Sequence, residues 1–338
     1  MRTATTASRA AGRFCACRSD YSSPLVRLHS QSFFRCPSHF WTGFLFSTTN
    51  LMLKIALPNK GRLADDTREL FGDAGLPVLS KGDRALSASL GGEFEALFVR
   101  AQDIPEFVAD GVADVGVTGW DLVCESARPV ERRLDLGFGE CRLIAAARED
   151  SIVRSLDDIA AGARVATSFP NVTRDFFQSR DQNVEIVPIS GAAEIAPLLG
   201  IAEIIVDITS TGSTLRVNGL REIGTLLTSR AQLVTRCDTG FDAAKGEALD
   251  SLIMALDSVV RARGKRYLMA NVPRKSLDAV KKIIPGINGP TVIDILNGGD
   301  RVAVHAVVDA ATVYKTIGAL KALDASGILV TRVERLMP

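Results

Sequence analysis

The stretch that most restricts how this chain can fold is Ile204-Ile205-Val206-Asp207, an unbroken apolar run that ends on a carboxylate. It is followed at once by Ile208-Thr209-Ser210-Thr211-Gly212-Ser213-Thr214-Leu215. A strand that is apolar on both faces needs cover on both, and parallel strands flanked by helices supply it. In open parallel sheets the chemistry sits beyond the carboxyl ends of the strands, which is where Asp207 falls. Gly212 permits a backbone conformation that turns consecutive N–H groups inward as an anion nest. The hydroxyls of Thr209, Ser210, Thr211, Ser213 and Thr214 add donors, and the helix expected next adds its positive end. Asp207 itself repels phosphate and suits a pair of ribose hydroxyls. A carboxylate and a phosphate nest a few residues apart fit a ribose 5-phosphate. The competing reading is a Ser/Thr turn that merely caps a helix. No Gly-x-x-x-x-Gly-Lys-Ser/Thr stretch is present, so this is not a P-loop.

The rest of the chain repeats the same grammar. From Met52 onward, short β-like runs alternate with amphipathic helical stretches, the pattern of an α/β architecture. Strands are expected over 53–57, 94–100, 114–118, 131–138 and 142–147, with helices over 63–74 and 103–109 and one after Asp121. A second unit follows, with strands over 164–167, 184–188 and 202–207 and helices over 170–179 and 192–199. Strands over 222–227 and 232–236 are expected to return to the first unit. This gives a bilobal core with more than one crossing: lobe I over 52–145 completed by 226–247, and lobe II over 146–225. Apolar Leu249, Leu252, Ile253, Leu256 and Val260 recur at helical spacing, so 242–263 is read as a long amphipathic helix, with 248–264 as the linker to the third unit. Residues 265–338 then show strand, helix (273–284, with Pro273 in its first turn), two strands (291–295 and 301–308) joined by Asn297-Gly298-Gly299-Asp300, helix (311–323) and strand (328–333). That βαββαβ order is ferredoxin-like.

Composition removes several function classes. The 338 residues carry a net charge of +1, without the basic excess of a nucleic-acid binder. The greasiest run, Phe40-Trp41-Thr42-Gly43-Phe44-Leu45-Phe46, falls far short of the ~20 residues that span a membrane. Residues 1–51 hold six Arg and the single acid Asp20, which leaves the remainder at −4. This extension reads either as an organellar transit segment or as a start placed too early, with Met52 opening the first strand; both readings stay open. Beyond it only His305 remains of the three histidines, within a strand pattern, together with Cys124, Cys141 and Cys237. The scattered thiols form no CxxC pair and suit a reducing compartment.

Other segments compete for a role at the cleft. Lys60 and Arg62 flank Gly61 at a strand-to-helix turn, where two cations suit a diphosphate or triphosphate; a solvated loop is the alternative. Asp121 either meets a nucleotide or caps a helix. Thr173 and Arg174 open a helix facing the same cleft, with an ordinary surface Arg as the alternative. Trp120 reads as packing.

Glu194, Gly200, Ala202, Ile205, Asp207, Ile208, Thr211, Gly212, Thr214 and Leu215, in that spacing, resemble the signature of the ATP phosphoribosyltransferase family. The resemblance extends over 53–338 and includes Leu57-Pro58-Asn59-Lys60-Gly61-Arg62-Leu63, Gly116-Val117-Thr118-Gly119-Trp120-Asp121 and Pro170-Asn171-Val172-Thr173-Arg174. Near the end, Pro285-Gly286-Ile287-Asn288-Gly289-Pro290-Thr291-Val292 resembles the regulatory domain of the family's long form. The 1–51 extension departs from the family's pattern. Val206 before Asp207 leaves one carboxylate, where ordinary phosphoribosyltransferases have two adjacent acids. The resemblance implies a periplasmic-binding-protein-like catalytic core with a C-terminal regulatory domain. It also implies transfer of a phosphoribosyl group from 5-phosphoribosyl 1-diphosphate to ATP, with Mg²⁺. Histidine is implied as inhibitor, along with a homo-oligomer between dimer and hexamer and a cytoplasmic location. On that reading Asp207 and residues 209–214 hold the donor, while Lys60, Gly61, Arg62, Asp121 and Arg174 hold ATP. Lys60, Arg62 and Asp207 are then the catalytic residues. A non-catalytic bilobal binding module, or a paralogue that has lost its chemistry, remains the rival.

Overall fold

The computed structural model describes residues 52–79, 85–210, 212–237, 240–296 and 299–337. The 1–51 extension, Thr211 and the Asn297-Gly298 turn signal lie outside them. The first lobe runs β1 (Lys54–Pro58), α1 (Arg62–Asp73), β2 (Val78–Leu79), β3 (Ser87–Leu90), β4 (Phe94–Val99), α2 (Ile104–Ala109), β5 (Val115–Gly119), α3 (Trp120–Ser126) and β6 (Val130–Asp135). The second holds β7 (Cys141–Arg148), β8 (Arg164–Thr167), α4 (Pro170–Ser179), β9 (Glu185–Pro188), β10 (Ile204–Thr209), α5 (Ser213–Val217) and β11 (Leu220–Ser229). The chain then returns as β12 (Ala231–Arg236) and α6 (Ala243–Ala262). The first sheet has the order β2-β3-β4-β1-β5-β12-β6 and the second β11-β7-β10-β8-β9. Within them β1 pairs parallel with β4 and β5, and β8 pairs parallel with β9 and β10.

Two boundaries move. The strand expected over 142–147 at the close of the first lobe is β7, near the centre of the second sheet between β11 and β10. Leu143, Ile144, Ala145, Ala146 and Ala147 are all buried, so this strand needs cover on both faces. Local pattern cannot say which sheet provides that cover. The strand over 222–227 likewise stays in the second lobe as β11, antiparallel to β7, and only β12 goes back. The chain therefore crosses between lobes twice, at 136–140 and at Arg230. The crossings are tied together: Leu136 N–H donates to Ala231 O (3.0 Å), Ala231 N–H donates to Phe138 O (2.9 Å), and Arg230 meets Glu140 (2.9 Å).

An expected helix also changes. Residues 192–199 shrink to a 3-10 turn at Ala193–Ile195, since Pro197 cannot supply the interior N–H a longer helix would use. The long helix expected over 242–263 is the 20-residue α6, capped by the Asp242 carboxylate on Lys245 N–H, and it does more than link. Its Leu249, Leu252, Leu256 and Val259 are buried with Leu70 and Phe71 in the first lobe's core. Strands β2 and β3 had no counterpart in the sequence reading.

The C-terminal part runs β13 (Lys265–Pro273), α7 (Leu277–Ile283), β14 (Thr291–Asp294), β15 (Arg301–Asp309), α8 (Val313–Ala322) and β16 (Ser326–Arg332). Its sheet order β14-β15-β13-β16 is the ferredoxin-like arrangement. Pro273 ends β13 instead of opening a helix. Leu268, Ala270, Val272, Val302, Val304 and Ala306 face the helices and are buried. His305 lies on the other face, its Nδ1 3.0 Å from the Tyr267 hydroxyl.

Candidate active site

β10 carries the proposed donor loop. Ile204, Ile205 and Val206 are fully buried, Asp207 is half-buried, and Ile208 turns outward. The Asp207 carboxylate accepts a hydrogen bond from Ile208 N–H at 2.8 Å. Burial pushes its pKa up, the backbone N–H opposes that rise, and nearby Glu194 adds to it. Thr209 is buried, and its Oγ1 accepts from Gly212 N–H at 2.8 Å. Its hydroxyl thus shapes the loop, whereas Ser210, Ser213 and Thr214 are exposed. Gly212 adopts φ +70°; an added Cβ would meet only the Arg216 guanidinium, at 3.6 Å. Conformation, not crowding, requires glycine there. The expected helix behind the loop, α5, has five residues, so the nest depends on loop amides more than on a helix dipole.

Lys60, Gly61 and Arg62 leave the carboxyl end of β1. Gly61 takes φ +81° as the N-cap of α1, which supports the turn read from sequence. Both cations are exposed. Arg62 is 3.8 Å from Asp66 with its side chain 86% accessible, and Lys60 has no ion pair among the described residues. α3 follows β5 and α4 follows β8, and these two helices touch. The helices that leave the carboxyl ends of β5 and β8 thus meet where the lobes meet.

Three sequence-predicted residues are committed elsewhere. Asp121 is buried (5% accessible), with Oδ1 accepting the Ser229 hydroxyl at 2.5 Å and its own N–H donating back to Ser229 Oγ at 2.9 Å. Arg174 donates to Asn171 Oδ1 at 2.9 Å. Thr173 is fully buried and donates to Phe169 O at 2.6 Å. Trp120 packs as expected, with the Arg132 guanidinium 4.4 Å from its ring centre. Burial, and next the charge of Asp121, push the thiols of Cys124 and Cys141 up to about 11, which removes them as nucleophiles at neutral pH.

Sequence reasoning missed a cluster of arginines beside the loop. A cavity of about 570 Å³ is lined by Gly212, Arg216, Arg142, Arg154, Arg221 and Glu222, among others. Arg142 is held in a two-pronged pair with Glu222 (2.6 and 3.0 Å), and Arg221 donates to the carbonyls of Glu149, Ser151 and Val153. Arg216 and Arg154 make no ion pair among the described residues, which leaves positive charge next to Gly212. Only the pairing of β11 with β7 gathers these residues, so no local signal marked them.

Residues 100–258 match the ATP phosphoribosyltransferase family, and residues 262–335 match the family described as HisG, C-terminal domain. The chain is 65% identical over 292 residues to the ATP phosphoribosyltransferase of Gemmatimonas aurantiaca, covering 85% of this chain and 100% of that one. It is 43% identical to that of Methanocaldococcus jannaschii over 290 residues, with the same coverage of both. Among solved structures, the ATP phosphoribosyl transferase (HisG:HisZ) complex from Thermotoga maritima superposes at a TM-score of 0.54 and 28% identity, over 62% of this chain and 99% of that one. With a hydroxyl-rich loop at a strand end, a two-lobed α/β core and a ferredoxin-like tail, these similarities make the chain a phosphoribosyltransferase enzyme of the ATP phosphoribosyltransferase family, whose reaction is the first step of histidine biosynthesis.

Proposed function

We propose that this chain joins N1 of ATP to C1 of 5-phosphoribosyl 1-diphosphate, giving 1-(5-phospho-β-D-ribosyl)-ATP and diphosphate. The observation that carries the reading is the braced loop after β10, where Asp207 and the Gly212 turn sit at the carboxyl end of a buried strand. Asp207 accepts hydrogen bonds from the ribose hydroxyls, and residues 209–214 seat the 5-phosphate. Lys60 and Arg62 neutralise the departing diphosphate or the triphosphate of ATP. The transition state is oxocarbenium-like, so the residues act by positioning and charge stabilisation, and no strong base is required. Among the described residues no three His, Cys, Asp or Glu side chains gather as a metal cage. That fits Mg²⁺ carried chiefly by phosphate oxygens and water. When bound, the ion offsets the charge of the leaving diphosphate.

The C-terminal domain binds histidine as feedback inhibitor on this proposal, and helps form a homo-oligomer between dimer and hexamer. Support for assembly comes from its sheet, which leaves Ile293 (47%) and Leu329 (59%) exposed on the side away from its helices. The thiols of Cys124 and Cys141, outside any disulfide, suit the reducing cytoplasm. Release of diphosphate from ATP, 5-phosphoribosyl 1-diphosphate and Mg²⁺ by the purified protein tests the reaction. Tight ligand binding without turnover would instead indicate the non-catalytic binding module. Histidine added to the same assay should slow it, and an unchanged rate in oligomeric protein overturns the inhibitor proposal.

A further inference from the structure

We propose that α3 is the strut that fixes the angle between the two lobes, and that Glu125 is a positioning residue through which it acts on the reaction. The seven residues of α3 reach four destinations. Val123 is buried in the first lobe's core, and Leu122 packs against the second lobe's core. Asp121 grips Ser229, the last residue of β11 before the second crossing. Glu125, one turn further on, reaches the start of α4 in the second lobe.

That last contact meets a need α4 cannot meet itself. The first N–H groups of a helix lack partners within it. The N-cap of α4 is Phe169, which has no side-chain acceptor, and Pro170 follows without an N–H. Asn171 and Val172 are the next donors, and both are taken by Glu125. Asn171 N–H lies 3.1 Å from each carboxylate oxygen, and Val172 N–H donates at 3.0 Å. In return Asn171 Nδ2 donates to the Glu125 carbonyl at 2.9 Å, while Arg174 donates to Asn171 Oδ1. A helix start in one lobe is thus satisfied only by a carboxylate from the other, which also suits the positive end of the helix.

The consequence for the reaction rests on the function proposed above, with Lys60 and Arg62 set on the triphosphate of ATP. The donor loop belongs to the second lobe and Lys60 and Arg62 to the first, so the distance between N1 of ATP and C1 of the donor depends on the angle between them. Removing the strut leaves each half-site intact and spoils their alignment. That loss falls on kcat rather than on KM.

Wild type, Glu125→Ala and Glu125→Gln are compared by steady-state turnover and by hydrogen exchange at the amides of Asn171 and Val172. In Glu125→Ala the two amides should exchange faster, and kcat should fall roughly 10- to 100-fold, the scale of a small misplacement of reacting groups. KM for each substrate should stay within about twofold on the same argument. Glu125→Gln, whose amide oxygen still accepts, should recover part of both losses. Unchanged exchange in Glu125→Ala overturns the strut. Faster exchange with unchanged kcat, or a loss carried by KM, overturns the positioning role. If Glu125→Ala does not fold, Asn171→Ala, which deletes the reciprocal bond, must lower kcat in the same sense or the proposal fails. A wild type without turnover would overturn the proposed function, while exchange at 171 and 172 would still report on the strut.

Discussion

At the end of β10, Thr209 and Asp207 are braced by the N–H groups of Gly212 and Ile208, whereas at the end of β1, Lys60 and Arg62 stand in solvent with only a 3.8 Å approach to Asp66. The first site is built before a ligand arrives. The second is two long side chains that must be ordered by one, at a cost of about 0.5–1.5 kcal/mol each. A braced loop suits the substrate whose reacting carbon must be placed, and mobile cations suit a charge that has to be followed as it leaves. On the proposed function, the two strand ends divide the work into geometry and charge.

Asp207→Asn tests that division most severely. Turnover should fall roughly 100-fold or more, the scale for removing one oriented polar group at a reacting centre. Burial raises the Asp207 pKa in the folded protein, so its ionised form costs stability at neutral pH. The stability tied to this group is present below its unfolded pKa and lost as pH rises through the raised folded value. The Asn variant should therefore melt at the wild-type temperature or above it; equal losses of activity and stability would make Asp207 structural. The same shift predicts that wild-type turnover rises with pH through a midpoint above the ordinary aspartate value of about 3.9. A midpoint at or below that value would contradict the assignment.

Smaller effects are expected at the other strand end. Lys60→Ala and Arg62→Ala should each weaken apparent substrate affinity about 3- to 10-fold, as loss of about one exposed charged contact does, with the melting temperature unchanged. The loss should shrink as salt is added. A stability loss instead would show that these cations hold α1, and would erase the contrast with β10. The smallest changes concern the brace. Thr209→Val should cost about 1 kcal/mol by leaving Gly212 N–H without its partner. Gly212→Ala should cost about 1–2 kcal/mol for a left-handed residue with a side chain. Denaturant midpoints measure both, and no change in either would mean the loop is not prebuilt.

Much of this was legible because it is local. The apolar run into Asp207, the glycines at 61 and 212 and the alternation of strand and helix all act within a few residues, and the structure keeps them. What was not legible depends on partners far along the chain. β7 shows the same apolar face to either sheet, so only its pairing with β10 and β11 assigns its lobe. Asp121 looked like a nucleotide contact because nothing nearby announces Ser229, 108 positions away. Glu125 carried no signal, since the first amide it caps, that of Asn171, lies 46 positions later. Arg142 and Arg154 gained interest only when the fold set them beside Gly212.

The double crossing has a consequence for synthesis. The second lobe is one unbroken stretch from β7 to β11, whereas the first lobe's sheet cannot close until β12 takes its place between β5 and β6. At about 5–20 residues per second, the strands made first wait on the order of 5–20 s for that partner. The lobe that begins the chain is the one completed later. During that interval the open edge of β5 is exposed to whatever else could pair with it.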